Sequence, residues 1–299
     1  MTASTPPKIA TTRFEPLTWT WKGHQIQYTV QGSGHPLVLI HGFGASIGHW
    51  RQNISVLAEG GYRVFALDLL GFGASAKPIL DYSLELWEEL LTDFWAENIK
   101  QPAIFIGNSI GALLSLIMVA QHPEISSGAV LLNCAGGLNH RPEELNFPLR
   151  AIMGLFTKFV SSPIIGSFMF NQIRQKHRIR NTLRQVYGNQ EAITDELVDL
   201  LYTPSNDIGA QQVFASILTA PPGPHPSELL PHIQKPLLII WGETDPWTPI
   251  TGAKIYQDLA DLSESVEFIS IPNTGHCPHD ERPEQVNPII LNWLNQHSF

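Results

Sequence analysis

Ala103-Ile104-Phe105-Ile106-Gly107-Asn108-Ser109-Ile110-Gly111, running on into Ala112-Leu113-Leu114-Ser115-Leu116-Ile117-Met118-Val119-Ala120, is the stretch on which the fold turns. Its first apolar run suits a buried strand, and the run after Gly111 is long and apolar enough for a buried helix. Between them, Gly107-Asn108-Ser109-Ile110-Gly111 has the Gly-x-Ser-x-Gly form of a nucleophile elbow, a tight turn that lifts a serine hydroxyl above a sheet. A side chain at either glycine would collide where the strand doubles back into the helix. The first N–H groups of that helix favour negative charge, which a developing oxyanion supplies. Gly and Ser are common, so the pattern gains its weight from lying between a strand and a helix.

Upstream, Leu17–Trp21 and His24–Val30 alternate apolar and polar residues around Lys22-Gly23, which predicts an antiparallel hairpin. Leu37–Ile40 reads as a short buried strand leading into His41-Gly42-Phe43-Gly44. Trp50, Ile54 and Leu57 mark a helix ending near Gly60-Gly61, and Tyr62–Leu67 the next strand, ending at Asp68. Leu84, Trp87, Leu91, Phe94 and Trp95 share one helix face. Past the elbow come strand Gly128–Leu132, then strand Leu237–Trp241, a helix over Ile250 to Leu262, strand Val266–Ile271 and helix Glu284–Asn295. Strands alternating with helices imply an α/β fold with a mostly parallel sheet of about eight strands, covered on both faces. Between Leu138 and His232 the rhythm breaks into helices punctuated by Pro and Gly. The chain therefore divides into a disordered tail (1–14), a core (15–137 and 233–299) and a helical cap inserted at 138–232.

A serine hydroxyl needs a base to act as a nucleophile near neutral pH, usually a histidine held by a carboxylate. In this arrangement the acid and the histidine follow the serine, on loops at the ends of later strands. Asp245 follows Leu237–Trp241, and His276 follows Val266–Ile271. Glu243 is the rival acid and His279 the rival base. Two backbone N–H groups would hold the oxyanion, those of Ile110 and of Phe43 in the loop after the third strand. Gly42-Phe43-Gly44-Ala45-Ser46-Ile47-Gly48 with Asp68 imitates a dinucleotide fingerprint, but its third Gly is one residue late and it leaves Ser109, Asp245 and His276 unexplained. There is no Walker loop and no His-x-x-x-His pattern, so neither cofactor nor metal is expected.

The bulk properties agree. In 299 residues, 43% hydrophobic and 15% charged, there is room for one large globular core. A formal charge of −9 argues against nucleic acid as a partner. Cys134 and Cys277 alone provide no disulfide framework, which suits a reducing, cytoplasmic setting. No apolar run approaches a transmembrane span, and the N-terminal residues lack the apolar core of a secretory signal.

With His41-Gly42-Phe43-Gly44, Asp68-Leu69-Leu70-Gly71-Phe72-Gly73, the elbow, Asp245 and Gly275-His276, the sequence resembles an α/β-hydrolase from about Leu17 to Leu294. Its longer strings, His41–Trp50, Gly107–Gly111, Trp241–Trp247 and Gly275-His276-Cys277-Pro278-His279-Asp280-Glu281, are similar to those of cyanobacterial and plastid chlorophyll dephytylases and pheophytinases. The resemblance implies ester hydrolysis through a Ser-His-Asp triad, on a phytyl ester of a chlorophyll-type pigment. Ala112 stands where many relatives carry a further Gly. The Asn-Ser elbow also resembles hydrolases that cleave carbon–carbon bonds of ring-fission products, although these usually have Trp where Cys277 stands. Dehalogenases and epoxide hydrolases of this fold use an Asp nucleophile, which Ser109 excludes. Cofactor-free haloperoxidases share the triad, and a relative that binds without turnover is the non-enzymatic alternative.

Within the cap, Phe147–Phe170 is rich in large apolar residues: Leu149, Ile152, Met153, Leu155, Phe156, Phe159, Ile164, Ile165, Phe168 and Met169. Arg174, Lys176, Arg178, Arg180 and Arg184 follow. One reading is a lid that takes a lipophilic ester substrate and rests on a membrane surface as a peripheral contact. The other buries the apolar residues as cap core and pairs the cations with Glu191, Asp195, Glu196 and Asp199.

Overall fold

A computed structural model describes residues 14–139 and 162–299. Residues 1–13 of the expected tail lie outside these, as do Leu149, Ile152, Met153, Leu155, Phe156 and Phe159 of the expected cap. Eight strands form one sheet: β1 (Leu17–Trp21), β2 (His24–Gln31), β3 (Pro36–Ile40), β4 (Arg63–Leu67), β5 (Ala103–Asn108), β6 (Ser126–Leu132), β7 (Leu237–Gly242) and β8 (Val266–Ile271). Their order is β1-β2-β4-β3-β5-β6-β7-β8. The β1–β2 and β2–β4 pairs are antiparallel and every other pair is parallel. The hairpin turns at Lys22 and Gly23, both at positive φ (48° and 83°), the type I′ geometry that follows the twist of the strands.

The central strands β3, β5 and β7 are buried throughout, so their side chains alternate between two apolar layers rather than between core and water. On one face, Val38, Ile40, Phe65, Phe105, Leu131 and Ile239 pack under helices α2 (Leu84–Phe94) and α3 (Ile110–Gln121). On the other, Leu37, Leu39, Val64, Ile106, Leu132 and Ile240 pack under α1 (Ile54–Glu59) and a C-terminal helix, Pro283–Gln296. Ser83 caps α2 by accepting the Leu86 N–H. α3 lies in the middle of the sheet, and its residues from Ile110 to Val119 are buried all round. Phe14, at the edge of the expected tail, packs against the second layer.

The segment between β6 and β7 supplies helices and no strand among its described residues. They are α4 (Pro163–Ile173), α5 (Lys176–Val186), α6 (Asp195–Tyr202), α7 (Ala210–Thr219) and the short α8 (Pro226–Leu229). Two of the basic residues meet acids from the predicted set, Lys176 with Asp199 at 2.5 Å and Arg180 with Asp195. α5 and α6 form a small apolar cluster of their own, in which Leu183, Val186, Tyr187, Leu197 and Val198 enclose Cys277 from the core. After β7 come α9 (Lys254–Leu262) and, following β8, α10 (Pro278–Glu281) and α11 (the C-terminal Pro283–Gln296).

Two helices begin later than the apolar spacing suggests. Trp50 sits in a single 3-10 turn, Ile47–Trp50, and the α-helix starts only at Ile54. Ile250 likewise lies in a 3-10 turn, Ile250–Ala253, before α9. In both places an apolar side chain, buried Trp50 or half-buried Ile250, continues the spacing through a turn that is not α-helical.

Candidate active site

The elbow has the geometry its glycines imply. A Cβ at Gly107 would lie 2.0 Å from the Gly111 carbonyl oxygen, and one at Gly111 would lie 2.2 Å from that of Ile40. Ser109 itself takes φ 58° and ψ −119°, left-handed backbone that an L-residue adopts only under constraint from its surroundings. Its amide donates to the Leu132 carbonyl at 3.0 Å, and its carbonyl receives the Ala112 and Leu113 amides. Ile110 opens α3, so its N–H has no acceptor one turn back within the helix. The loop after β3 comes so close that a Cβ on Gly42 would lie 3.3 Å from Cβ of Ser109, which places Phe43 beside Ser109.

Asp245 and His276 meet at the ends of β7 and β8. Nδ1 of His276 donates to Oδ2 of Asp245 at 2.6 Å, with both side chains buried. The acid is held on every side: Oδ2 also receives the Asn133 side-chain amide at 2.8 Å and the Thr248 hydroxyl, and Oδ1 receives the Trp247 N–H at 2.7 Å. Burial alone would raise its pKa. The hydrogen bond and charge of His276, with the Thr248 hydroxyl and Trp247 amide, outweigh burial and hold the carboxyl below its usual range. The Trp247 indole stands edge-on to the His276 ring at 5.1 Å. Asn108 joins the two halves of the site, since its side-chain amide donates to the carbonyls of Leu132 (3.1 Å) and His276 (2.8 Å).

The rivals are otherwise engaged. Glu243 is exposed and accepts from the Ser270 hydroxyl at 2.7 Å. His279 is fully buried against Trp50 and His49, and burial drives its pKa well below the usual value. Asp68, which a dinucleotide site would aim at a ribose, is buried with one oxygen on the Ile47 amide and the other on that of Ala74, both at 2.7 Å. Burial raises it to about 6. His41 donates from Nδ1 to the Gly42 carbonyl and accepts the Leu69 N–H at Nε2, and burial lowers it to about 4, so the ring is a neutral brace for the loop after β3.

Ser109, Phe43, His276 and Trp247 line one cavity of about 260 Å³. From the oxyanion loop its aromatic wall runs through the Phe43–Phe214 and Phe214–Phe170 pairs, at 5.9 and 5.2 Å between ring centres. Ile179, Leu183 and Val186 of α5 continue the apolar lining. The lining cations are occupied: Lys77 donates to Gly73, Ser75 and Asp207, and Arg174 to Ser205 and Asn206. Among the described residues no cluster of His, Cys, Asp or Glu has the makings of a metal site, and no helix is long and apolar enough to cross a membrane.

The structure brings Asp245 and His276 into hydrogen-bond contact and sets Ser109, Phe43 and His276 around one cavity. Asn133 escapes a reading of the sequence because it lies 112 positions from Asp245, and Thr248, three residues from Asp245, because no motif marks its hydroxyl as a donor to that carboxylate. Asn108 was visible as part of the elbow, but its bond to the His276 loop spans 168 positions of chain.

A model of the alpha/beta hydrolase family matches residues 37–289. Chloroplastic pheophytinase of Arabidopsis thaliana is 28% identical over 300 residues, which cover 87% of this chain and 61% of that protein, so the chain spans about three fifths of that relative's length. The 2-hydroxy-6-oxo-6-(2'-aminophenyl)hexa-2,4-dienoic acid hydrolase of Metapseudomonas resinovorans is 28% identical over 284 residues, covering 92% of this chain and 89% of that one. Among solved structures, a serine hydrolase involved in carbazole degradation, CarC, superposes with a TM-score of 0.74 at 25% identity, over 95% of this chain and all of that one.

Proposed function

We propose, for a chain that belongs to the alpha/beta hydrolase family, that it is a serine hydrolase of carboxylic esters with Ser109, His276 and Asp245 as its triad. The observation that carries this reading is the 2.6 Å His276–Asp245 bond beside the cavity into which the Ser109 elbow opens. With Nδ1 committed to Asp245, Nε2 of His276 is the nitrogen left to take the Ser109 proton. Ser109 Oγ then attacks the acyl carbon, and the carbonyl oxygen becomes an oxyanion facing the Phe43 and Ile110 amides. The imidazolium, stabilised by Asp245, returns the proton to the departing alcohol. Water, deprotonated by the same histidine, frees the acyl group. Each oxyanion donor in such a site is worth about a hundred- to a thousandfold in rate.

The apolar wall and the occupied Lys77 and Arg174 favour a neutral, lipophilic ester. The likeness to pheophytinase supports a phytyl ester of a chlorophyll-type pigment as that substrate. In this reading residues 138–232 form a cap that chooses the substrate while the core performs the chemistry. The likeness to the dienoic acid hydrolase supports carbon–carbon cleavage as the second reading. Here Cys277, rather than Trp, follows the histidine, and the lining cations of an acid-binding pocket are already bonded. A fluorophosphonate probe labels wild type and leaves Ser109→Ala unlabelled. Turnover of pheophytin exceeds that of a ring-fission diketone, and the reverse order would replace the ester reading with the second one.

A further inference from the structure

Behind the His276 loop lies a buried junction that the proposed chemistry does not use directly. Glu281, on α10, is 1% exposed and accepts from four backbone amides. Two belong to the residues flanking His276, Gly275 at 3.0 Å and Cys277 at 3.2 Å. The other two, Gly188 at 2.7 Å and Asn189 at 3.1 Å, belong to the strap that leaves α5. That strap forms the cavity wall through Val186 and Tyr187.

The contact is reciprocal. The Val186 carbonyl accepts the N–H of His276 itself at 2.8 Å, and the Asn189 side chain donates to the Glu281 carbonyl at 3.0 Å. Both backbones approach as closely as glycine allows. A Cβ on Gly275 would lie 2.0 Å from the Val186 oxygen, and one on Gly188 would lie 2.5 Å from that of Asn273. The neighbouring Asp280 fastens the same junction to the loop after β3. It accepts the Tyr187 hydroxyl at 2.8 Å and forms an ion pair with Arg51 at 2.7 Å, while His49 donates from Nε2 to the Tyr187 oxygen at 2.8 Å. Charge-assisted bonds to a buried carboxylate are the strong ones, and removing the acceptor strands the donors.

We propose that Glu281 is a positioning residue that makes the His276 loop and the Val186–Asn189 strap one rigid unit, so that a substrate pressing on the strap also seats the base. The proposal rests on Ser109 and His276 being nucleophile and base. It implies that a chain long enough to reach Val186 and Tyr187 raises kcat and not only affinity, because remote binding is spent on orientation.

The test compares kcat for p-nitrophenyl acetate, too short to reach the strap, with kcat for p-nitrophenyl decanoate. The full-length wild type, Glu281→Gln and Gly188→Ala are assayed, each with its melting temperature. Wild type gives the larger kcat with decanoate. In both variants the decanoate-to-acetate ratio of kcat falls by about tenfold to a hundredfold. A loss of folded protein lowers both rates alike and leaves the ratio unmoved. Gln would turn an N–H donor toward amide donors. Gly188→Ala keeps Glu281 and His276 and only pushes the strap off Asn273, so it answers even if Glu281→Gln does not fold. Equal kcat for the two esters in wild type overturns the proposal, as does a ratio in a folded variant within about twofold of wild type. Ser109→Ala separates the premise: wild-type turnover there sinks the serine mechanism, whereas an inactive Ser109→Ala with an unmoved ratio sinks only the coupling.

Discussion

The Ser109 side of the proposed site and its His276 side are held by different physics. Around Ser109 the main chain does the positioning, with glycines at 107 and 111 where a Cβ would meet backbone oxygens at 2.0 and 2.2 Å. Around His276 one glycine, Gly275, is confined in the same way, but most of the hold comes from hydrogen bonds, with Asp245 held by Asn133, Thr248 and the Trp247 amide, and Glu281 gripping the loop from behind. Steric positioning at the elbow leaves no room for a Cβ at either glycine. Hydrogen-bonded positioning is assembled from distant residues and can be weakened by degrees. The two sides should therefore fail differently, the first by losing the fold and the second by losing rate.

The largest expected effect is on the base side. Asp245→Asn keeps the shape of the site but offers His276 an amide in place of the carboxylate, and kcat should drop by about ten-thousandfold. A stopped-assay rate with a neutral ester, alongside an unchanged circular dichroism spectrum, is the check. On the elbow side, Gly111→Ala drives a methyl group into the Ile40 and His41 carbonyls and should cost about 4 kcal/mol or more, read as a shift of the urea midpoint. If that protein were as stable as wild type and merely slow, the contrast between the two sides would be wrong.

Next comes the pH dependence of stability. His41 and His49 are both lowered by burial from 6.5 to about 4, so between those values the unfolded chain binds more protons than the native one. Their share of the stability is full above 6.5 and is lost as pH falls towards about 4. Asp68, raised from 3.8 to about 6, and Glu281, also raised by burial, work in the opposite sense, but His279, driven well below its usual value, adds a third buried ring to the histidines' side. The melting temperature should rise from pH 4 to 6.5, and a flat profile would contradict the neutral, buried placement of these rings. The smallest effect is expected from Thr248→Ala. It removes one of several donors to Asp245 and should slow kcat about tenfold with little change in stability.

The same contrast explains what could be read from the chain alone. β8 begins and ends at the residues expected, Val266 and Ile271, and the elbow lies where the strand-to-helix change put it, because backbone sterics and apolar periodicity are written into neighbouring residues. Ser109, Asp245 and His276 could be nominated because each follows a strand that periodicity locates. The residues that hold them could not. Asn133 lies 112 positions from Asp245, and the amides that Glu281 receives from the strap come from 92 and 93 positions away. The late helix starts at Ile54 and Lys254 show the opposite limit, where apolar spacing persists through a turn that the backbone does not wind as α-helix.

Ser109 occupies left-handed backbone with φ 58°, a conformation that suits glycine better than any residue bearing a Cβ. The penalty there is about 1–3 kcal/mol. The hydroxyl that we propose as the nucleophile thus sits at a point in the elbow where serine is a less stable choice than glycine. A chain optimised for melting temperature alone would place glycine at 109, and in doing so would give that hydroxyl up.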